Sequence, residues 1–186
     1  MDWPVHFPPE MSAGSISVRR YEPGDAADLL SSLADERVWA HMSRGAPADA
    51  AVLNGIIRAR LTDGYRETFT VRQGGCAVGI TSVDFDPDDP AGAEIGGTLL
   101  DPGVWGTGVN TEVKRLLLAV LFRHDAQWVQ LRTDERNARS AAAIRKLGAR
   151  ELGLREESHF RRDGTRRQSL VFRLARPGPA APVAPA

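Results

Sequence analysis

The sequence has a single cysteine, no long apolar run and no excess of charge of either sign. Because Cys76 is the only cysteine among the 186 residues, the chain cannot form an internal disulfide, and we expect a reducing, cytoplasmic location. No run of about 18 apolar residues is present, which predicts that no helix spans a membrane and that no membrane is a partner. The first residues lack the basic start and apolar segment of a signal peptide, so none is expected.

The 24 basic residues (Lys and Arg) equal the 24 acidic residues (Asp and Glu) in number. This balance argues against a nucleic-acid partner, because general nucleic-acid-binding proteins carry a basic surface. The charges are unevenly distributed, since residues 132–173 are strongly basic and residues 84–94 are acidic. A basic cluster beside an acidic one suits a polyanionic ligand and a cationic substrate. The four histidines and one cysteine show no metal-ligand spacing, so we predict no metal.

Hydrophobic periodicity and turn residues predict an α/β fold with the element order β-α-α-β-β-β-α-β-α-β-β and a mixed sheet. We expect residues 1–14 to form an extended arm and residues 15–175 to form the folded domain. The Pro/Ala-rich residues 176–186 are predicted to be a disordered tail. The second helix is predicted over Pro47–Leu61, because proline is tolerated in the first turn of a helix.

The most informative stretch joins a strand to a helix through a glycine-rich turn. The strand Ala93–Leu100 leads into glycines at positions 103, 106 and 108, and an apolar helix face follows at Val113, Leu116, Leu117, Val120 and Leu121. Glycines leave room for a ligand, and the first N–H groups of a helix have no intrahelical partner. This order predicts an anion site, with a pyrophosphate as its natural occupant. It is neither a dinucleotide fingerprint nor a P-loop, because Thr111 replaces the third glycine and no Gly-Lys-Ser/Thr follows.

Two segments together resemble the GNAT N-acetyltransferases. They are Trp105-Gly106-Thr107-Gly108-Val109-Asn110-Thr111-Glu112 and, further along, the helix and glycine of Asn137–Ala149. Within that family the chain most resembles the Rim-type branch, the ribosomal-protein N-terminal alanine acetyltransferases and their relatives. The resemblance covers roughly residues 15–175. It implies the GNAT acyl-CoA N-acyltransferase fold, with acetyl-CoA as co-substrate.

The resemblance also assigns cofactor contacts residue by residue. The pyrophosphate of acetyl-CoA would bind the backbone amides of Val104, Trp105, Gly106, Thr107, Gly108, Val109 and Asn110. Asn137 has the spacing of a helix N-cap and, by resemblance, also contacts the pantetheine arm. One of Arg139, Arg145 and Lys146 would lie near the 3′-phosphate, with Lys146 as the candidate. The glutamine or arginine that usually precedes this loop in the family is Gly103 here, which removes a side chain but no amide.

The catalytic assignments follow from the same resemblance. Ser140 would lie near the thioester sulfur and protonate the departing thiolate, and a backbone N–H late in the strand, at Leu100, would stabilise the oxyanion. Glu94 and His159 are the candidate general bases. Rim-type enzymes carry a carboxylate in the C-terminal hairpin, where this chain offers Glu156 and Glu157 beside His159, so the identity of the base stays open.

The resemblance favours a peptide or protein N-terminal α-amine as the acceptor. A small-molecule amine (an amino acid, polyamine or drug) is the alternative acceptor, and a non-catalytic acyl-CoA-binding module is the alternative function. A nucleotide-binding protein remains a third option, although its fingerprints are missing. The oligomeric state stays open, with a homodimer among the options. Trp39, His41 and Met42, between the first two helices, are expected to be core residues rather than substrate contacts.

Overall fold

The computed structural model describes residues 1, 3–59, 61 and 64–178. In this part of the chain the strands are β1 (Glu10–Ala13), β2 (Ile16–Arg20), β3 (Arg66–Gln73), β4 (Cys76–Asp84), β5 (Gly92–Leu100), β6 (Trp128–Asp134), β7 (Arg150–Phe160) and β8 (Arg166–Ala175). The helices are α1 (Asp25–Leu33), α2 (Ala50–Arg58), α3 (Val109–Arg123) and α4 (Ala138–Lys146), with 3-10 turns at Glu36–Trp39 and Pro102–Val104. None of the described helices is both long and apolar enough to cross a membrane.

All the described strands form one mixed sheet in the order β1-β2-β3-β4-β5-β6-β8-β7. The neighbours are antiparallel except β5 and β6, which are parallel and are connected through α3. Parallel neighbours require such a crossover connection, whereas antiparallel neighbours can be joined by a short turn. The predicted α/β class with a mixed sheet is therefore confirmed.

β5 and β6 are paired over only a short length. Their ladder joins Gly92–Glu94 to residues 128–130, while β5 continues beside β4 as far as Leu100 and β6 continues beside β8 as far as Asp134. Gly97 has a φ of +58°, and the register between β4 and β5 shifts nearby. Such a bulge bends a strand and increases its twist. Beyond Glu94 the two parallel strands therefore separate and leave a gap in the sheet.

Helices cover both faces of the sheet. On one face, Val113, Leu117 and Leu121 of α3 pack in a core cluster that includes Ile95 of β5. On the other face, α1 and α2 bury Leu29, Leu33, Leu53 and Ile57 together with Trp39, Ile80 and Leu99. A smaller third cluster, Leu131, Ala141, Ile144 and Phe172, attaches α4 to β6 and β8. The gap between β5 and β6 thus lies between α3 and α4.

The N-terminal arm and the second helix differ from their predictions. Residues 10–13, placed in an extended arm by the sequence prediction, form β1 and pair with β2, and Val5, Phe7 and Met11 before and within it are buried. α2 spans Ala50–Arg58 rather than Pro47–Leu61. It begins later than predicted because the side chain of Asp49 caps it by accepting from the amide of Val52 at 2.8 Å. Of the predicted tail, residues 176–178 form no helix or strand, and residues 179–186 lie outside the described residues.

Candidate active site

A cleft of about 460 Å³ opens where β5 and β6 separate. This volume is in the usual range for small-molecule sites. Its walls come from the end of β5, the glycine loop and first turn of α3, the end of β6, and α4. A further wall comes from the segment after the first 3-10 turn.

The glycine loop uses some of its backbone amides and leaves others free. The amide of Val104 donates to the carbonyl of Asp101 at 3.1 Å, and that of Trp105 donates to Pro102 at 3.2 Å, which closes the second 3-10 turn. The amide of Thr107 makes a long bond of 3.4 Å to the carbonyl of Val104. In the described residues, no protein acceptor bonds the amides of Gly106, Gly108, Val109, Asn110 and Thr111. Of the amides predicted to bind phosphate, those of 106, 108, 109 and 110 are therefore available.

The N-terminus of α3 is open because glycine stands where a capping side chain would be. Gly108 is the N-cap with a φ of +96° and makes no side-chain cap. Gly106 has a φ of +79°, and a Cβ built on it would meet nothing within 4 Å. These left-handed conformations favour glycine. Within the first turn of α3, the side-chain oxygen of Asn110 is buried without a hydrogen-bond partner in the described chain, and Asn110 lines the cleft. A buried acceptor of this kind normally has a donor.

Trp105 connects the glycine loop to the end of β5 and to the start of α4. Its indole N–H donates to the carbonyl of Leu100 at 2.9 Å. The guanidinium of Arg139 lies 3.2 Å from the centre of the Trp105 ring, a cation–π contact that joins the loop to the first turn of α4. Both α3 and α4 thus present their N-termini to the same cleft.

The N-terminus of α4 places Ser140 in the cleft. The side-chain oxygen of Asn137 accepts from the amide of Ser140 at 3.0 Å, which confirms the predicted N-cap. The hydroxyl of Ser140 bonds no other group of the described chain. Asn137, Ser140, Lys146 and Leu100 all line the cleft. The structure therefore brings these four residues to one cleft, and their roles stay predictions.

Neither of the predicted bases lines the cleft. The carboxylate of Glu94 accepts from the guanidinium of Arg132 at 2.6 Å and from the side-chain amide of Gln130 at 3.0 Å, so a long-range ion pair occupies it. His159 is exposed on β7, in a stretch where the register with β8 is interrupted. Of the predicted loop residues, the side chains of Thr107 and Val109 are likewise outside the lining.

Comparison with known proteins identifies the family of this chain. The family model for the acetyltransferase (GNAT) domain matches residues 16–150. The chain belongs to the GNAT acetyltransferase family. The resemblance seen in its two sequence segments is thereby confirmed, and the protein is an acetyltransferase.

Solved structures show how widely this acetyltransferase fold is shared. A T. thermophilus protein assigned as an acetyltransferase is 27% identical, with a TM-score of 0.81 over 92% of this chain and 91% of that one. A GCN5-related N-acetyltransferase from Brucella melitensis is 16% identical, with a TM-score of 0.79 over 89% and 78%. The Salmonella typhimurium enzyme that modifies the N-terminal serine of ribosomal protein L7/L12 is 14% identical, with a TM-score of 0.75 over 88% and 96%. The last two show the fold alone. No curated protein matches the chain.

His41 is a cleft residue of this acetyltransferase that the sequence prediction placed in the core. Trp39 is fully buried, with its indole N–H on the carbonyl of Leu33 at 2.7 Å, so the prediction was right for that residue. His41 and Met42 instead line the cleft. Burial lowers the pKa of His41, against the opposing effect of the nearby Asp134. The imidazole is therefore neutral near pH 7 and is able to accept a proton.

Lys114 is a buried amine at the cleft that the sequence prediction missed. Its ammonium nitrogen donates to the hydroxyls of Thr81, at 3.1 Å, and Thr98. The residue is only 4% exposed, and no carboxylate of the described chain forms an ion pair with it. Burial lowers the pKa of Lys114 to about 7. A lysine in a helix is usually solvated, so the sequence offered little reason to expect burial of Lys114. The one signal was its position beside the apolar residues Val113 and Leu117.

We expect Lys114→Met to stabilise the protein, most strongly at low pH. The folded state holds Lys114 with a pKa of about 7 instead of 10.5, so between these values the unfolded chain binds the extra proton, and the stability of the natural protein rises with pH. The advantage of the methionine variant should therefore shrink by about 1.4 kcal/mol per pH unit above pH 7. Urea unfolding at about pH 7 and pH 9 measures this difference.

The control is the same change at Lys146, the chain's other lysine, which is exposed. Lys146→Met should shift stability by a few tenths of a kcal/mol at most, equally at both pH values. A constant advantage of Lys114→Met across the pH range would show that Lys114 stays protonated in the folded protein.

Proposed function

We propose that this GNAT acetyltransferase binds acetyl-CoA in the cleft between β5 and β6 and acetylates a primary α-amine, with a peptide or protein N-terminus as the favoured acceptor. The free amides at the N-terminus of α3 are the observation that carries the proposal. They stand in the same cleft as Ser140 and Asn137, at the N-terminus of α4. Unpaired helix N-terminal amides favour phosphate, and the positive end of the helix adds to the attraction.

The residues of the cleft fit acetyl-CoA chemically. The amides of the loop match a pyrophosphate, and the cations Arg139 and Lys146 line the same cleft. The unpaired side-chain oxygen of Asn110 suits an amide N–H, a group that the pantetheine arm carries. When bound, acetyl-CoA supplies an acyl group activated as a thioester.

Three groups around that thioester would stabilise the oxyanion, protonate the leaving sulfur and deprotonate the amine. The amide of Leu100 would donate to the carbonyl oxygen as negative charge develops there. The hydroxyl of Ser140 would give its proton to the departing sulfur, at a helix N-terminus that favours negative charge. The neutral imidazole of His41 would take the proton of the attacking amine. This assignment replaces Glu94, whose carboxylate is occupied by Arg132.

The weak base favours an α-amine over a lysine side chain. An α-amine with a pKa near 8 is ~10% neutral at pH 7, whereas freeing a lysine amine costs roughly 4.6 kcal/mol at that pH. A histidine of lowered pKa is adequate for the first task and poor for the second. The shared fold of the enzyme that modifies the N-terminal serine of L7/L12 is consistent with this choice.

Release of free thiol from acetyl-CoA tests the acceptor class. The purified protein is assayed with a panel of peptides that differ in their first residue, with the same peptides blocked at the N-terminus, and with amino acids, polyamines and drug amines. We expect turnover of unblocked peptides. Turnover confined to small amines would transfer the proposal to a small-molecule acceptor.

We expect Gly106→Val to weaken acetyl-CoA binding at least ~10-fold, because the side chain would occupy the open space in front of the amides. Calorimetric titration with CoA measures the loss. Gly164→Val is the matched control, since Gly164 has the same φ of +79° and equally open surroundings in the β7–β8 turn. Both variants carry the same backbone strain, so equal CoA affinity in the two would remove the loop from the site.

We expect Ser140→Ala to lower kcat by ~10²–10⁴-fold, the usual contribution of a positioned acid, while the Kd for acetyl-CoA stays nearly constant. Stopped-flow thiol release and calorimetry give the two values. The backbone amide of Ser140 keeps its bond to Asn137 in this variant, so the helix start is preserved. A parallel loss of affinity and turnover would make Ser140 a binding residue only.

We expect His41→Gln to lower kcat and to remove its fall at low pH. In the natural protein, kcat should fall as the pH drops through the pKa of His41, which burial holds below its ordinary value of about 6.5. The profile of kcat against pH is measured at saturating acceptor. His159→Gln is the comparison variant. If the fall of kcat at low pH disappears in His159→Gln and persists in His41→Gln, His159 and not His41 is the general base.

A further inference from the structure

Arg167 is a charged cleft residue whose one ion pair among the described residues is long. It stands near the start of β8, its side chain is 17% exposed, and it lines the cleft. Its Nε donates to the hydroxyl of Ser169 at 3.2 Å, and its Nη1 donates to the carbonyl of His41 at 3.1 Å. A guanidinium has five N–H groups, so three remain, including both on Nη2.

The nearest carboxylate forms only a long ion pair with Arg167. Asp134 has an oxygen 3.8 Å from the Nε of Arg167, beyond hydrogen-bond distance. Both of its oxygens are already bonded to Arg161, at 2.8 and 3.0 Å, and the amide of Arg136 adds a bond of 2.9 Å. Asp134 thus already accepts three hydrogen bonds and neutralises Arg161, so its long ion pair with Arg167 compensates the largely buried charge of Arg167 only in part.

Arg132 gives the contrast within the same cleft. It lies on the neighbouring strand β6 and also lines the cleft, but it bonds both Glu94 and Glu157, at 2.6 and 2.9 Å. Arginine does not lose its proton in proteins, so burial cannot be relieved by neutralisation. An unpaired buried charge is costly unless an anion accompanies it. Arg167, whose charge is only partly compensated, is therefore suited to bind an anion from outside the described chain.

The position of Arg167 points to the acceptor rather than to the cofactor. The phosphate-binding amides belong to the loop that Trp105 ties to Arg139, whereas Arg167 is bonded to the backbone of His41, the proposed base. Among the described charged residues that line the cleft, Asp134 is the only acid. The acidic stretch of residues 84–94, which the sequence prediction matched to a cationic substrate, contributes no charged side chain to the lining.

We propose that Arg167 binds a carboxylate of the acceptor, so that the preferred acceptor carries a carboxylate close to its reactive α-amine. The proposal rests on the proposed acetyl transfer to an α-amine. The free N–H groups on Nη1 and Nη2 form an edge of the kind that takes a carboxylate through two parallel bonds. Two sources supply this chemistry, namely a peptide that begins with Asp or Glu and the α-carboxylate of a free amino acid.

Matched acceptors test the proposal on the natural protein. Peptides that begin with Asp or Glu are compared with those that begin with Asn or Gln, and alanine is compared with alaninamide, by thiol release at saturating acetyl-CoA. The acid of a pair should have a kcat/KM roughly 10- to 100-fold higher, the effect of a hydrogen bond to a charged group. A preference in the peptide pairs or in the alanine pair identifies the source. Equal kcat/KM in every pair overturns the proposal.

Variants then assign the preference to Arg167. Arg167→Gln should abolish the preference by raising KM for the acid acceptors to that of the matched neutral acceptors, and Arg167→Lys should restore part of the preference. Arg166→Gln is the control, because this adjacent arginine is half exposed, does not line the cleft, and pairs with Glu156 at 3.2 Å. A preference that persists in both Arg167 variants overturns the assignment. If Arg167→Gln does not fold, Arg167→Lys and the matched acceptors decide.

A binding measurement separates this proposal from the proposed function. Asp- and Asn-initiated peptides are titrated calorimetrically into the CoA-saturated protein and its Arg167→Lys variant. Stronger binding of the Asp peptide without thiol release from any amine would support Arg167 and contradict acetyl transfer. Thiol release with equal binding of the Asp and Asn peptides would support acetyl transfer and contradict the role of Arg167. No binding and no release would overturn both.

Discussion

The parting of β5 and β6 is the constraint on which the site depends. Their parallel ladder ends after Glu94, yet each strand continues beside its other neighbour. Beyond Glu94, the backbone groups of β5 and β6 that would otherwise pair with each other face a gap. A buried backbone amide without a hydrogen-bond partner is unfavourable unless a ligand supplies the partner. The bulge at Gly97 and the glycine pair at 96–97 let β5 bend away without side chains in the gap. A cleft that takes an extended ligand between two strands follows from this single interruption.

Two helix N-termini then give the cleft its polarity, and they do so in different ways. α3 starts at Gly108 without a side-chain cap, so its first amides are offered to a ligand. α4 starts at Asn137, which satisfies the amide of Ser140 but leaves the hydroxyl free. The first end suits a group with a full negative charge, and the second presents a proton donor where charge develops. Trp105, between Leu100 and Arg139, keeps the two ends together.

Local patterns in the sequence were sufficient for most of the elements and for the loop. The strand, glycine turn and apolar helix face are short-range signals, and the structure has the strand at Gly92–Leu100 and the helix at Val109–Arg123. β1 was missed because Glu10–Ala13 is short and follows a proline-rich stretch, so its strand conformation depends on pairing with β2. The start of α2 was misplaced because Pro47 and Asp49 both suit a helix start, and only the side-chain bond decides between them.

Side-chain pairing across the sheet limited the prediction of the chemistry. Glu94 was an attractive base from its position before the loop, but Arg132, 38 residues away, occupies it. Arg66 likewise pairs with Asp84, from the same acidic stretch. Acidic side chains that are neighbours along the chain are therefore neutralised by arginines far away in sequence. The net charge of the cleft depends on the side chains that are not fully neutralised in this way. On that reasoning the guanidinium of Arg167, whose nearest carboxylate already binds Arg161, says more about the acceptor than the acidic block does. A charge that its neighbours compensate only in part is available to select a ligand.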